Sequence, residues 1–267
     1  MRPGAVPALD DLRHVAETAG AAIQKEGRGG VVRKEDGSPQ GRADRAAHEV
    51  IAKGLARLAP DVPVLSEEAA AADPAVRARW TTCFVVDPLD GTKEFLAGTP
   101  DYTVNIAYVV DGQPVAGVVH APATGTSYIG HAGNGARRHD KTGEATIRCR
   151  PAPKGPLAVV TSRSHAGADT ETMLARWPAH TRLAAGSSLK VCRIAEGAAD
   201  LYPRLGPTME WDTAAAHAVL SAAGGVLLDP AGRSLHYNKP DLHNPAFLAA
   251  GDKNLAARLL PTMRGAA

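Results

Sequence analysis

The sequence predicts a mixed α/β chain built in layers, with helices covering sheets. Three observations carry that expectation. Two apolar stripes at three- and four-residue steps fill the first part of the chain, strand-like runs with a hairpin turn fill the middle, and short strands alternate with helices after residue 150.

Taken in order, Leu9, Leu12, Val15, Ala16, Ala19 and Ile23 form one helical stripe, which Gly27, Gly29 and Gly30 end. After the turn Asp36-Gly37-Ser38-Pro39, a second helix follows from Ala43, Ala46, Ala47, Val50, Ile51, Leu55 and Leu58. Pro60 and Pro63 flank a short extended piece at 62–65. Cys83-Phe84-Val85-Val86 has the composition of a buried strand. Segments 102–110 and 115–120 flank Asp111-Gly112-Gln113-Pro114, a hairpin signal. Segments 126–129 and 146–148 add strands, and the glycine- and charge-rich stretch 130–143 reads as a loop. Beyond it, 157–161 reads as a strand, and 170–177 and 189–196 as helices. Segment 211–223 is a helix with Ala215, Ala216, Val219 and Leu220 on its apolar side; Gly224-Gly225 stops it before a strand at Val226–Leu228. The tail, 253–263, is helical. Arg150-Pro151-Ala152-Pro153 divides an N-terminal α+β half (1–150) from a C-terminal α/β half (151–267).

Composition narrows the function classes. The 267 residues are 44% hydrophobic and 22% charged, which excludes a disordered chain. Thirty Lys+Arg against 28 Asp+Glu leave a net charge of +2, so no basic surplus points to nucleic acid. Cys83, Cys149 and Cys192 stand far apart and form no CxxC pair, which suits a reducing compartment. No apolar run reaches the ~18 residues of a membrane helix, and the N-terminus lacks the apolar stretch of a signal peptide. A cytoplasmic enzyme or binding protein is the expectation.

The informative stretch is Val85-Val86-Asp87-Pro88-Leu89-Asp90-Gly91-Thr92-Lys93-Glu94-Phe95. A hydrophobic strand runs into two aspartates and an Asp-Gly-Thr turn. Carboxylates at a strand end suit a hard divalent cation, and amides of a glycine turn can cradle phosphate oxygens. An ordinary Asp-Gly turn is the competing reading. Further acids follow a strand at Glu67-Glu68, sit in the first turn of the second helix at Asp44, and open the late helix at Glu210-Trp211-Asp212. Each has a plain alternative: a solvated charge pair, a residue favoured by the helix dipole, an N-cap.

In this order the blocks resemble the inositol monophosphatase-like superfamily of Mg²⁺-dependent phosphatases, over roughly residues 9–260. The form Asp-Pro-Leu-Asp-Gly-Thr-Lys-Glu-Phe (87–95) is similar to its bacterial CysQ-type 3'(2'),5'-bisphosphate nucleotidase branch. So are Ser162-Arg163-Ser164-His165, Gly186-Ser187-Ser188-Leu189-Lys190, Ala195-Glu196-Gly197, the run from Asp200-Leu201-Tyr202-Pro203-Arg204 to Asp212, and Tyr237-Asn238-Lys239-Pro240.

The resemblance implies a layered αβαβα sandwich. It implies Mg²⁺ (two or three ions) on Glu67, Asp87, the Leu89 carbonyl, Asp90 and Asp212, with Glu68 outside the ligand set. Gly91 and Thr92 would hold the scissile phosphate, and Asp44 with Thr92 would orient the attacking water. Substrate contacts are expected from Asp90, Gly91, Thr92, Ser187, Lys190, Arg204, Asp212 and His165. The competing readings are solvent-facing charge for Lys190 and Arg204, a loop histidine for His165, and core aromatics for Tyr202 and Trp211. One position departs from the pattern: Gly41 stands where the family carries a threonine, so Asp44 is expected to lose a supporting hydroxyl.

The implied partner is a phosphorylated small molecule, first a nucleoside bisphosphate such as 3'-phosphoadenosine 5'-phosphate, a by-product of sulfate assimilation. An inositol- or sugar-phosphate phosphatase and a non-catalytic nucleotide or metal sensor are the alternatives.

Overall fold

The computed structural model describes residues 6–29, 32–33, 39–163 and 167–263. Helices among them are α1 (Leu9–Glu26), α2 (Arg42–Leu58), α3 (Pro74–Arg77), α4 (Thr92–Ala97), α5 (Ala168–Leu174), α6 (Leu189–Ala195), α7 (Ala214–Ala222) and α8 (Lys253–Leu259).

A seven-stranded sheet takes its strands in chain order: Val64–Ser66, Thr82–Asp90, Thr103–Val110, Gln113–Ala121, Thr126–His131, Gly135–Asp140 and Gly143–Ile147. Only the first pair is parallel. Its central strands are apolar on both faces, and period-two alternation sends the two sets to different cores. Phe84, Val86, Val104, Ile106 and Tyr108 meet α1 and α2. Cys83, Val85, Ala107 and Val109 meet α6 and α7 on the other side.

A five-stranded sheet lies beyond α6 and α7, in the order His180–Ala185, Leu157–Ser162, Leu201–Arg204, Phe247–Ala250, Val226–Leu228. Its far face carries Leu157, Val159, Leu201 and Leu248 against Met173 and Leu174 of α5 and Leu255 and Leu259 of α8. The layers therefore run helix, sheet, helix, sheet, helix, the expected αβαβα sandwich.

The stretch 130–143 is not a loop. It holds the end of one strand, all of the next, Gly135–Asp140, and the first residue of the one after, Gly143–Ile147. Antiparallel strands at a sheet edge need few apolar residues, because one face meets water. Here cross-strand charge replaces them, with Arg137 donating to Glu144 at 3.0 Å. The glycines that suggested a loop serve the turns: Gly133, Gly135 and Gly143 all have positive φ. The late helix also starts later than expected, because Glu210–Asp212 form a 3-10 turn before α7 begins. In the hairpin, the turn tightens to Asp111-Gly112, both with positive φ, as a two-residue connection requires. Pro114 falls in the strand, where the register shifts. Residues 36–38 of the expected turn before α2 lie outside the described residues.

Candidate functional site

The site starts from an irregularity in strand Thr82–Asp90. Along it, Asp87 pairs with Asn105 and Asp90 with Thr103, so three steps on one strand match two on its neighbour. In a regular strand, residues three apart face opposite sides. The extra residue is a bulge, and it turns Asp90 to the same face as Asp87. Pro88 has no N–H to leave unpaired there. Leu89 points its side chain into the core under α1 and α2, while its carbonyl accepts the Thr92 hydroxyl at 3.3 Å. Gly91 then takes φ 88°. A Cβ there would stand 3.0 Å from the Asp101 carbonyl and 3.4 Å from the Ser187 Cβ, so the turn closes only on glycine.

Asp44 comes from the first turn of α2 and is buried. Its Oδ2 accepts the Gly41 N–H at 2.7 Å, and its Oδ1 accepts the Thr92 hydroxyl at 3.3 Å. Gly41 thus anchors Asp44 through its backbone, without the hydroxyl the sequence lacks. Burial raises the Asp44 carboxyl above its ordinary range, and the Glu68 charge adds to the rise.

Around the bulge the acids crowd. Glu67 follows strand Val64–Ser66, its N–H donating to the Val86 carbonyl at 3.2 Å. Asp212 ends the 3-10 turn, its carboxylate accepting the Met209 N–H at 2.8 Å. Asp87 is 1% exposed; burial, then the charges of Glu67, Asp90 and Asp212, push its carboxyl well above the usual range. Asp212 is pushed up to about 7 by burial first and by Asp90 next. Asp90 is raised by burial, while Lys190 pulls it back. Among the described residues, no three His, Cys, Asp or Glu side chains stand close enough to form a ready coordination shell. The donors nonetheless fit one kind of partner. Four carboxylates and a carbonyl are all hard oxygen ligands, and their mutual repulsion is relieved by a hard divalent cation.

Beside the acids opens a cleft lined by Asp90, Asp212, Ser187, Lys190, Tyr202 and Arg204 among others. The Lys190 ammonium lies 5.6 Å over the Tyr202 ring. Arg204 donates to the carbonyls of Gly206 at 3.2 Å and Pro207 at 3.0 Å, and its charge draws the Asp212 carboxyl down. Ser187 has φ 44°, and its hydroxyl is buried with no partner in the protein. A buried polar atom without a partner is costly, so an accessible ligand oxygen would satisfy it.

The structure thus brings together Glu67, Asp87, Leu89 and Asp90 with Asp212, Asp44 with Thr92, and Gly91 with Ser187; Lys190 and Arg204 line the same cleft as Asp90 and Asp212. His165 lies outside the described residues. Three residues of the site were not singled out from sequence. Asn105 is fully buried and donates to the Ser188 hydroxyl at 3.0 Å and, at a long 3.5 Å, to Asp90. Its signal was a lone amide inside the apolar run Thr103–Val110. The Ser188 N–H donates to Asp90 at 2.7 Å, and its hydroxyl to the Asp212 carbonyl at 2.8 Å. Asp101 accepts the Gly186 N–H at 3.0 Å and Arg163 at 2.7 and 2.8 Å, which ties the 186–188 turn to the 90–92 turn. Tyr202 is both core and wall: it is 4% exposed and still lines the cleft.

Comparison with known proteins shows the family and the fold. A family model described as the inositol monophosphatase family matches residues 8–266. The 3'(2'),5'-bisphosphate nucleotidase CysQ of Shigella flexneri is 46% identical over 247 residues, spanning 90% of this chain and 98% of that protein. The protein of the same name from Salmonella typhimurium is 44% identical over 248 residues, with the same coverage. Among solved structures, CysQ from Bacteroides thetaiotaomicron, a bacterial member of the inositol monophosphatase family, superposes with a TM-score of 0.79 at 37% identity, covering 91% of this chain and 96% of that one. An IMPase from Thermotoga maritima superposes with a TM-score of 0.80 at 22% identity, covering 97% of both, and shows the shared fold.

Proposed function

We propose, since this chain belongs to the inositol monophosphatase family, that it is a 3'(2'),5'-bisphosphate nucleotidase. It hydrolyses 3'(2')-phosphoadenosine 5'-phosphate with water to AMP and phosphate, clearing a by-product of sulfate assimilation in the cytoplasm. Enzymes of this family are metal-dependent phosphatases, and the all-oxygen donor set favours Mg²⁺, two or three ions, on Glu67, Asp87, the Leu89 carbonyl, Asp90 and Asp212. Bound there, the metal supplies positive charge to the phosphoryl oxygens and lowers the pKa of water, for a reaction whose uncatalysed rate is among the slowest known.

The chain's own groups do the rest. Gly91 and Thr92 hold the scissile phosphate at the turn. The Thr92 hydroxyl, donating to Asp44, can accept a proton from the attacking water through its free lone pair. Asp44, raised by burial, is the final acceptor. In this reading residues 1–150 supply most metal ligands, and 151–267 supply Asp212 and the contacts to the rest of the substrate. The observation that carries the substrate class is the cleft itself, which sets Lys190 and Arg204 beside Asp90 and Asp212. The carboxylates of its lining would hold metal, the two cations would hold a phosphate that is not cleaved, and Ser187 adds a hydroxyl.

The test compares kcat/KM for 3'-phosphoadenosine 5'-phosphate and inositol 1-phosphate in the unmodified chain, Lys190→Ala and Arg204→Ala. The unmodified enzyme prefers the bisphosphate. Each variant loses about 1.5–3 kcal/mol of transition-state binding for it, and little for the monophosphate. Preference for inositol 1-phosphate, or equal losses on both substrates, assigns the site to a smaller sugar phosphate.

A further inference from the structure

Two residues before Asp212 stands a second acid, Glu210, with no exposed surface at all. Its carboxylate accepts three donors from one loop: the Asn238 N–H at 2.5 Å, the Lys239 N–H at 3.0 Å and the Lys239 ammonium at 2.5 Å. Lys239 also donates to the His236 carbonyl at 3.0 Å, so its charge is spent inside the protein and not on the cleft. Asn238 adopts φ 61°, which turns its N–H inward to Glu210.

The same loop is gripped from the other side by Arg77, 2% exposed. Its guanidinium donates to the Asn238 side chain at 3.1 Å and to the carbonyls of Lys239 at 2.8 Å, Pro240 at 3.0 Å and Ala72 at 3.0 Å. Asn238 returns a bond from its amide to the Arg77 carbonyl at 2.9 Å. Arg77 lies in the segment that leaves Glu67 and returns to strand Thr82–Asp90. A continuous chain of part-buried hydrogen bonds therefore runs from the Glu67 segment through Arg77, Asn238 and Lys239 to Glu210, which shares a 3-10 turn with Asp212. Glu67 and Asp212 reach the site from separate layers, one beside the seven-stranded sheet and the other ahead of α7.

We infer that Arg77, Asn238, Lys239 and Glu210 form a positioning clamp that fixes the separation of Glu67 and Asp212 for a small cation. This inference rests on the metal site proposed above. Mg²⁺ demands near-ideal geometry at short distances, so a site whose two walls drift apart loses it first. Partners that orient ligands typically carry 10–100-fold in metal affinity.

A simple charge effect predicts the opposite sign. Removing the Lys239 cation beside a carboxylate cluster makes the site more negative and would tighten cation binding. Loosening the clamp weakens it.

The experiment uses the metal-free full chain, with Mg²⁺ binding read by calorimetry and Mn²⁺ binding by electron paramagnetic resonance. Asn238→Ala, which changes no charge, and Lys239→Met each weaken binding about 10–100-fold. KM for the substrate at saturating Mg²⁺ stays within about twofold, since neither residue lines the cleft. Met173→Ala, in the core beyond the five-stranded sheet, lowers thermal stability and leaves the metal constants unmoved. Unchanged or tighter binding in either folded clamp variant, or an equal loss in Met173→Ala, overturns the clamp. If Lys239→Met does not fold, Asn238→Ala decides alone. Asp212→Asn separates the two readings: binding as tight as in the unmodified chain defeats the metal site itself, whereas weakened binding there with intact binding in the clamp variants defeats only the clamp.

Discussion

Asp212 carries the clearest proton signature of the site, a carboxyl pushed up to about 7 by burial and by its neighbour Asp90. A group held protonated in the fold but ionised in the unfolded chain favours folding at low pH. That contribution is fully present below the ordinary carboxylate pKa of 3.8 and is lost as pH rises towards 7. A cation reverses the loss, because it binds the ionised form. Proton and metal therefore compete, by about tenfold in affinity per pH unit below the raised pKa for each proton displaced. The gain in Tm on adding Mg²⁺ should be small at about pH 5 and large at about pH 8, and Asp212→Asn should flatten the difference. Equal gains at both values in the unmodified chain would show that these acids do not meet the metal.

At the scale of elements, two short pieces of backbone do most of the aiming. The bulge at 87–90 brings two aspartates onto one face, and the first turn of α2 holds the third, Asp44. Gly41 is the informative position. Its φ of −105° suits any residue, so backbone strain does not demand glycine there. Space is tight, however: a Cβ would stand 3.1 Å from the Asp44 oxygen that the Gly41 N–H already holds, so that oxygen would have to give by a few tenths of an ångström. Gly41→Thr restores the hydroxyl but presses on Asp44. Displacements near 1 Å at reacting groups can cost about 10²-fold, so a shift of a few tenths costs a few-fold. Gly41→Thr and Gly41→Ala should both lower kcat a few-fold at unchanged metal affinity. A rise in kcat for Gly41→Thr alone would show that the hydroxyl matters more than the space.

Across the whole molecule, the site depends on how closely α7 approaches the seven-stranded sheet. Asp212 sits just ahead of that helix, whose buried residues Ala214, Ala215, Ala216 and Ala218 keep it thin. The sheet answers with glycines. A Cβ at Gly117 would stand 2.4 Å from the Ala215 carbonyl, and one at Gly130 2.6 Å from the Val219 Cα. Backbone cannot yield as a side-chain tip can, so the added methyl must push the layers apart. Gly117→Ala should cost about 1–3 kcal/mol, a fall in Tm of roughly 3–10 °C, and should weaken Mg²⁺ binding as Asp212 is displaced. Gly155→Ala, where a Cβ meets nothing within 4 Å, is the silent control. Equal effects of the two would refute close packing as the reason for Gly117.

What the sequence determined by itself was whatever depends on neighbours along the chain. Apolar periodicity located α1 and α2, the alternation of buried residues located the central strands, and the ordered acidic blocks located Asp44, Glu67, Asp87, Asp90 and Asp212. The strands at 135–147 escaped it, because their stability comes from pairing across the sheet and from surface charge, neither of which leaves an apolar pattern. Asn105, Ser188 and Asp101 escaped it for a related reason. Their roles are bonds to residues 15, 98 and 85 positions away, and such partners exist only once the layers have stacked. The bulge that turns Asp90 beside Asp87, and the approach of α7 that brings Asp212 to both, were decided by tertiary structure alone, since each is a matter of which face meets which.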